Sequence, residues 1–251
     1  MKYHLTPEEF VQLLEPIYGN RNAERASGFS EEEVRSAEER LGIQIPKVYR
    51  HYLLTCGKAG LNSKMHFLYQ PDQIEFSYDV IEQSIQEEWE EEWKNYSPDP
   101  ENPYFRIHQL PREKWGEVTG NYLMIWEENQ GCFHAGIRTE DLQQEDPPVS
   151  ITVDDDFFEW AEVSNSIESF LFYMMLEFLS YVPEKELEGE EAIISFLKKH
   201  GVDTEKLFPQ EAPFRCLHTR TFWNEEEKTL GVCVLSHETE GIPEHLYLFR
   251  T

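Results

Sequence analysis

An α+β fold is predicted for this 251-residue chain by three observations. Capped amphipathic helices fill its first part, an apolar hairpin lies at its centre, and its tail holds one helix followed by three strand-like runs. The clearest helical signal is residues 29–57, FSEEEVRSAEERLGIQIPKVYRHYLLTCG. Ser30 and Glu33 make a capping box, the hydroxyl taking the amide three residues on and the carboxylate reaching back to the serine amide. Val34, Ala37 and Leu41 form one apolar stripe, and Gly42 stands where a helix ends in the left-handed conformation. Pro46 is suited to the first turn of a second helix, since it has no amide to leave unpaired there. Tyr49, Tyr52 and Leu53 supply that helix's buried face, and Gly57 ends it.

The remaining elements follow in order. A first helix starts at Thr6-Pro7 with Glu9 completing another capping box, and Phe10, Leu13, Leu14 and Ile17 trace its inner face. Gly19 to Gly28 is a polar connection, and a short strand is expected within Leu61 to Tyr69. Ile81, Ile85, Trp89 and Trp93 recur every fourth residue, which predicts an amphipathic helix over 81–93. Tyr96 to Pro103, with three prolines, reads as an exposed loop. Strands are expected at Arg106–Leu110, Tyr122–Trp126 and Cys132–Arg138, the last two joined by a turn over Glu127–Gly131. Ile151–Val153 reads as an edge strand running into Asp154-Asp155-Asp156, and Ile167–Tyr181 as a helix over this sheet. Pro183–Glu191 is acidic and glycine-punctuated, the best place for a boundary. Beyond it come a helix from Glu190 to His200, stopped by Gly201, and strands at Arg215–Trp223, Thr229–Ser236 and His245–Arg250. Glu225-Glu226-Glu227 and Thr239-Glu240-Gly241 supply their turns.

Three blocks carry a family resemblance. The first is Leu41, Gly42, Ile43, Ile45, Pro46, Tyr49, Tyr52, Leu53, Leu54 and Gly57. The second is the hairpin Tyr122–Ile137 with its Asn-Gln-Gly turn and trailing Gly-Ile. The third is Trp160–Leu171, where a serine introduces an apolar run. In this order, over roughly residues 25 to 180, the chain resembles the SUKH superfamily of fungal cell-wall assembly regulators and bacterial immunity proteins. The resemblance implies a twisted, mainly antiparallel sheet flanked by helices over residues 1–182. Residues 183–251 are then expected to form a small C-terminal α+β appendage of a helix and antiparallel strands, packed on the first domain or separate from it.

Composition narrows the function. With 39% hydrophobic residues, sixteen Phe, twelve Tyr and six Trp, the chain has ample material for a core. No apolar run follows Met1-Lys2-Tyr3-His4, so the expected location is cytoplasmic. The most apolar run, Phe170–Leu176 with Phe178 and Leu179, is broken by Glu177 and too short to span a bilayer. Cys56, Cys132, Cys216 and Cys233 form no Cys-x-x-Cys pair and are expected to be reduced, buried thiols. A formal net charge of −27 opposes direct contact with nucleic acid or an anionic membrane, both of which need a positive face. It favours a basic protein partner, or solubility alone.

No chemistry-bearing motif is present: there is no phosphate-binding glycine loop, no nucleophile elbow and no zinc-protease helix. His134 has no partner at motif spacing and is expected to be a partly buried, hydrogen-bonded histidine. Cys132, two residues away, is expected to share its strand face by geometry alone. Asp154, Asp155 and Asp156 lack the alternating spacing and the glycine of a calcium loop. No metal, cofactor or catalytic residue is therefore expected. The candidate partner-binding residues are Glu87, Glu88, Glu90, Glu91 and Glu92 on the outer face of the helix over 81–93, together with Asp154, Asp155 and Asp156. Bacterial members of the family resembled bind a cognate toxin, often a nuclease. The leading expectation is thus an immunity protein that neutralises such a toxin by covering its basic surface. The alternative is a non-enzymatic regulatory adaptor binding a cellular partner; a hydrolase built on His134 and Cys132 is the weakest reading.

Overall fold

The computed structural model describes residues 1–20, 25–80, 82, 86, 101–153, 156–209, 219–236 and 242–250. The chain divides into two compact units, one of residues 29–57 and 65–167, the other of residues 1–28, 58–64 and 168–251. Each is organised on a five-stranded antiparallel sheet with helices, so the fold is α+β.

In the unit of residues 29–57 and 65–167, helix α2 spans Glu31–Leu41 and α3 spans Lys47–Cys56. The expected capping box is present: the Glu33 amide donates to Ser30 Oγ at 3.2 Å and the Ser30 amide to Glu33 Oε2 at 2.6 Å. Gly42 ends α2 at φ 69°, the left-handed conformation a side chain resists. Pro46 stands just before α3, its carbonyl accepting the Arg50 amide at 2.9 Å, so it precedes the first turn by one residue. Tyr49, Tyr52 and Leu53 are buried, as their stripe requires. Gly57 has an ordinary right-handed φ of −58°. Its need for glycine is close approach: a Cβ there meets the Leu53 carbonyl and the Phe29 ring at 2.5 Å.

The sheet of this unit runs β2-β3-β4-β5-β6. Its strands are β2 (Phe67–Leu68), β3 (Tyr122–Glu127), β4 (His134–Arg138), β5 (Val149–Val153) and β6 (Asp156–Ser164). The hairpin β3–β4 closes by a bond from the Glu128 amide to the Phe133 carbonyl at 2.8 Å, with Gly131 at φ 76° in the turn. Two expectations are corrected. Pro103–His108 is a helix, α5 below, and not a strand, because Pro103 pre-sets the first turn and the Arg106 amide bonds the Asn102 carbonyl at 3.1 Å. Its Ile107 joins Trp115 and Val118 in a small apolar cluster. β5 is interior to the sheet, and the edge is β6. Trp160–Ser164 is the end of that strand, ahead of the helix from Ile167: inward Phe158 and Trp160 alternate with exposed Glu159 and Ala161, and edge carboxylates discourage further pairing. Short helices α4 (Ser77–Val80) and α6 (Gly116–Thr119) flank α5 in the chain.

The other unit orders its strands β1-β8-β9-β10-β7. They are β1 (Lys2–Tyr3), β7 (Lys185–Glu188), β8 (Thr219–Asn224), β9 (Thr229–Leu235) and β10 (Pro243–Arg250). Its helices are α1 (Pro7–Tyr18), α7 (Ile167–Leu179, of which Glu168 onward belongs to this unit), α8 (Glu190–Lys199) and α9 (Thr204–Leu207). The capping box of α1 is as expected, with Glu9 and Thr6 exchanging bonds of 3.3 Å. Ile193 and Leu197 of α8 pack with Phe222, Cys233, Leu246 and Leu248 of the sheet. Gly231 lies under the Phe222 ring, where a Cβ would come within 2.1 Å.

These units do not coincide with the 1–182 and 183–251 partition. Much of the stretch read as a linker is β7, which pairs with β10 through Leu187 opposite Leu246. Lys2 and Tyr3 pair with Trp223 and Phe222, so the first residues belong with the tail. The buried face of α1 also differs: Val11 and Glu15 are buried with Phe10 and Leu14, while Leu13 and Ile17 are partly exposed. Glu15 is the centre of a polar knot. Its Oε1 accepts the amides of Asn20 at 2.9 Å and Gly60 at 2.8 Å, and its Oε2 accepts that of Leu61 at 3.1 Å. It thereby ties the end of α1 to the 3₁₀ turn Gly60–Ser63, which, with β2, stands where one strand was expected over 61–69. A Cβ on Gly19 would strike the Glu15 carboxylate.

Cys56 and Cys233 are buried free thiols and Cys132 a partly buried one. Burial pushes the Cys233 thiol up to about 12. Cys216, the helix over 81–93 apart from residues 82 and 86, all but the end of the loop over 96–103, the start of the strand at 215, the turn at 239–241 and part of the 19–28 connection lie outside the described residues.

Candidate docking cleft on the capped helix pair

Among the described residues a cleft of about 410 Å³ opens along the exposed side of α2, lined by Phe29, Ser30, Glu32, Glu33, Ser36, Ala37, Arg40 and the Gln70-Pro71-Asp72 loop. Phe29, Ala37 and Pro71 are its buried apolar floor, and Glu32, Glu33 and Asp72 are exposed on it. Each wall is fixed locally. The capping box orients Glu33, whose Oε2 is held by the Ser30 amide and hydroxyl. The loop is a single helical turn, with the Gln73 and Ile74 amides bonding the Gln70 carbonyl at 2.8 and 3.1 Å. Arg40 joins helix to loop: its Nη2 donates to the carbonyls of Pro71 at 3.0 Å and Ile74 at 2.7 Å, with that of Asp72 at 3.4 Å. The carbonyls hold that guanidinium in place without cancelling its charge, and the three carboxylates of Glu32, Glu33 and Asp72 outnumber it, so the cleft is net negative.

The neighbouring charges are ordered too. Arg50 of α3 bonds the Glu31 carboxylate and reaches Glu38 Oε1 at 3.2 Å, while Glu38 also accepts the Ile45 amide at 3.1 Å. The hydrogen bond from Arg50 holds the Glu31 carboxyl below the usual carboxylate range, and its pairing with Glu31 raises Arg50 in turn. Helices α2 and α3 and the turn between them are thus cross-braced, and the acidic first turn of α2 suits the positive end of the helix dipole.

Of the sequence-predicted site residues only Asp156 is described. Glu87, Glu88, Glu90, Glu91, Glu92, Asp154 and Asp155, with Trp89 and Trp93, lie outside the described residues. Asp156 is the first residue of β6, opposite Val153. His134 is buried at the start of β4, facing Glu127 across the hairpin with Nε2 3.8 Å from Oε1, too long for a hydrogen bond. Its amide donates to Thr152 Oγ1 at 3.0 Å. Burial, only partly opposed by Glu128, pushes its imidazole down to about 4, so it is neutral at physiological pH. Cys132 stands in the turn before β4, so the two share no strand face. The cleft was missed by sequence reasoning because its carboxylates are indistinguishable there from a solvated helix face; the spacing of Glu32, Glu33 and Ser36 was the available signal.

Residues 28–172 match the model of the SMI1 / KNR4 family (SUKH-1), more than half of the chain. The chain belongs to this family. Membership makes it an immunity or regulatory protein in the general sense, of a kind that is generally non-catalytic and works through a protein partner. The matched segment takes in the whole unit of residues 29–57 and 65–167, while most of the other unit lies outside it. No curated protein matches the chain. Among the described residues no helix is long and apolar enough to cross a membrane.

Proposed function

We propose that this SUKH protein is a cytoplasmic immunity protein that binds a basic, nuclease-type toxin domain and neutralises it by occlusion, without turnover. The observation carrying this reading is a net charge of −27 in a family of immunity and regulatory proteins. A nuclease contacts phosphates through Lys and Arg, and a carboxylate-rich surface competes for the same groups. Long-range attraction speeds the encounter, and a few desolvated contacts set its lifetime. Glu87, Glu88, Glu90, Glu91, Glu92, Asp154, Asp155 and Asp156 are the proposed docking carboxylates. The cleft on α2 adds an apolar floor beside Glu32, Glu33 and Asp72, which suits the stem and head of a partner's arginine.

The test is co-expression with the toxin domain encoded beside this gene. Growth of the sensitive host is the expected result, and death with the protein fully expressed overturns the proposal. Charge reversal at Glu32 and Asp72 is expected to slow association and reduce its dependence on salt. A regulatory adaptor is the second reading, favoured by the unit outside the matched residues, which offers a further docking module. Capture of an endogenous partner from native lysate, with no toxin gene adjacent, selects that reading.

A further inference from the structure

We propose that Glu186, Glu188 and His245 form a binding site for a divalent transition-metal ion of the zinc class. The three residues lie on the β7–β10 ladder, where His245 is directly opposite Glu188 and Glu186 is opposite Tyr247. Side chains alternate along a strand, so Glu186, Glu188, His245 and Tyr247 project from one face. Leu187, Leu246 and Leu248 project from the other, into the apolar cluster with α8. The ladder therefore holds the three donors on a packed scaffold.

One ligand atom from each residue lies within 4.8 Å of the others, and His245 Nδ1 is 3.1 Å from Glu186 Oε1. Zinc takes nitrogen and carboxylate oxygen at about 2.0–2.2 Å in a tetrahedral shell. Donors around such an ion stand roughly 3–3.5 Å apart, and the His245–Glu186 pair is already at that spacing. The imidazole lies parallel to the Tyr247 ring, 4° between planes and 5.9 Å between centroids, which limits the ring's rotation. Two carboxylates and one imidazole make a mixed oxygen–nitrogen set. It suits zinc, cobalt or nickel better than calcium, which needs six to eight oxygens, or magnesium, which keeps its waters. Both carboxylates are exposed and His245 is partly so, leaving the fourth position of the ion to solvent. A bound ion would relieve repulsion between Glu186 and Glu188 and pin the four-residue edge strand β7 to the last strand of the chain.

The experiment is titration of the full-length, chelator-stripped protein with ZnCl2 by calorimetry, alongside thermal unfolding. A single micromolar site that raises the unfolding temperature is expected. His245→Ala and Glu188→Gln should each weaken binding by more than about tenfold, because each removes one of three ligands. Glu190→Gln, equally acidic and nearby in sequence, should leave it unchanged. Zinc should also protect His245 of the unaltered protein from diethyl pyrocarbonate, read by peptide mass spectrometry, so that the result does not depend on a variant folding. Millimolar binding only, equal loss in Glu190→Gln, undiminished binding in His245→Ala or an unprotected His245 overturns the proposal. The site is independent of toxin binding, and neither result bears on the other.

Discussion

The two sheets have the same number of strands and the same antiparallel pairing, yet they are assembled in different ways. In the family-matched unit every strand pairs with its neighbour in sequence, β2 through β6 in order. In the other unit β1 pairs with β8 and β7 with β10, so the sheet draws its two edges from distant parts of the chain. In the first, β3 through β6 can form by successive local closures, and only β2, with Phe67 opposite Glu127, waits on a long loop. The second must close loops of many residues before its edge strands gain any partner, and that ordering cost precedes the reward. Long-range polar ties serve both units: Arg40 clamps the 70–74 loop in the first, and the Glu15 knot joins the end of α1 to the Gly60–Leu61 turn in the second. In the second the tie is a buried carboxylate that collects amides from two segments no short turn connects.

The largest way to break this contrast is Glu15→Ala. It leaves the amides of Asn20, Gly60 and Leu61, of which only the last is fully buried, without this acceptor. At roughly 1–3 kcal/mol for a stranded buried donor, with water recovering most of the loss at the other two, the loss is about 3 kcal/mol. Urea unfolding followed by circular dichroism should show it, and Glu15→Gln, which keeps an acceptor oxygen, should lose less.

Acid sharpens the contrast from the side of the meander. His134 titrates near 4 when folded and near its ordinary 6.5 when unfolded. Above pH 6.5 it is neutral in both states and contributes no pH dependence. As pH falls from about 6.5 to about 4 only the unfolded chain takes up the proton, so stability falls, by at most about 3 kcal/mol, and below about 4 this contribution levels off. His134→Gln removes that contribution. The difference in unfolding free energy between the two proteins, measured from pH 7.5 to 3.5, should shift in favour of the variant across that window.

The smallest effect compares like with like. Both units use the same Ser/Thr–Glu capping box, at Ser30 and at Thr6. Ser30→Ala and Thr6→Ala should each cost about 1 kcal/mol, since a cap acts within its own helix and is indifferent to how its sheet is assembled. A much larger loss for Thr6→Ala would mean that α1 also depends on the long-range closure of its unit.

Residues 29–57 were legible because every signal in them is local. A serine three residues before a glutamate, a glycine after the last apolar position and a proline before an aromatic stripe need nothing distant to act. The same holds for the hairpin at 122–138, the helix closed by Gly201 and the strands of the tail. Arg106–Leu110 misled because its two apolar residues, Ile107 and Leu110, are too few to establish a period, and the decisive proline lay just outside the run. The cleft on α2 was invisible because three exposed acids look alike in sequence until a loop thirty or more residues away is clamped beside them by Arg40.

By itself the sequence determined the helix caps, the left-handed stop at Gly42, the central hairpin, the acidic character and the family. Those depend on neighbours within a few residues, and their free energies are set before the chain closes on itself. Tertiary structure alone decided that Lys2 and Tyr3 are a strand, that the acidic stretch at 185–188 is an edge, and that Glu15 is buried. A strand of two or four residues has no period to read, and a carboxylate on a helix face is indistinguishable from a solvated one. Their state is fixed by distant backbone groups that meet them only once the sheet has formed.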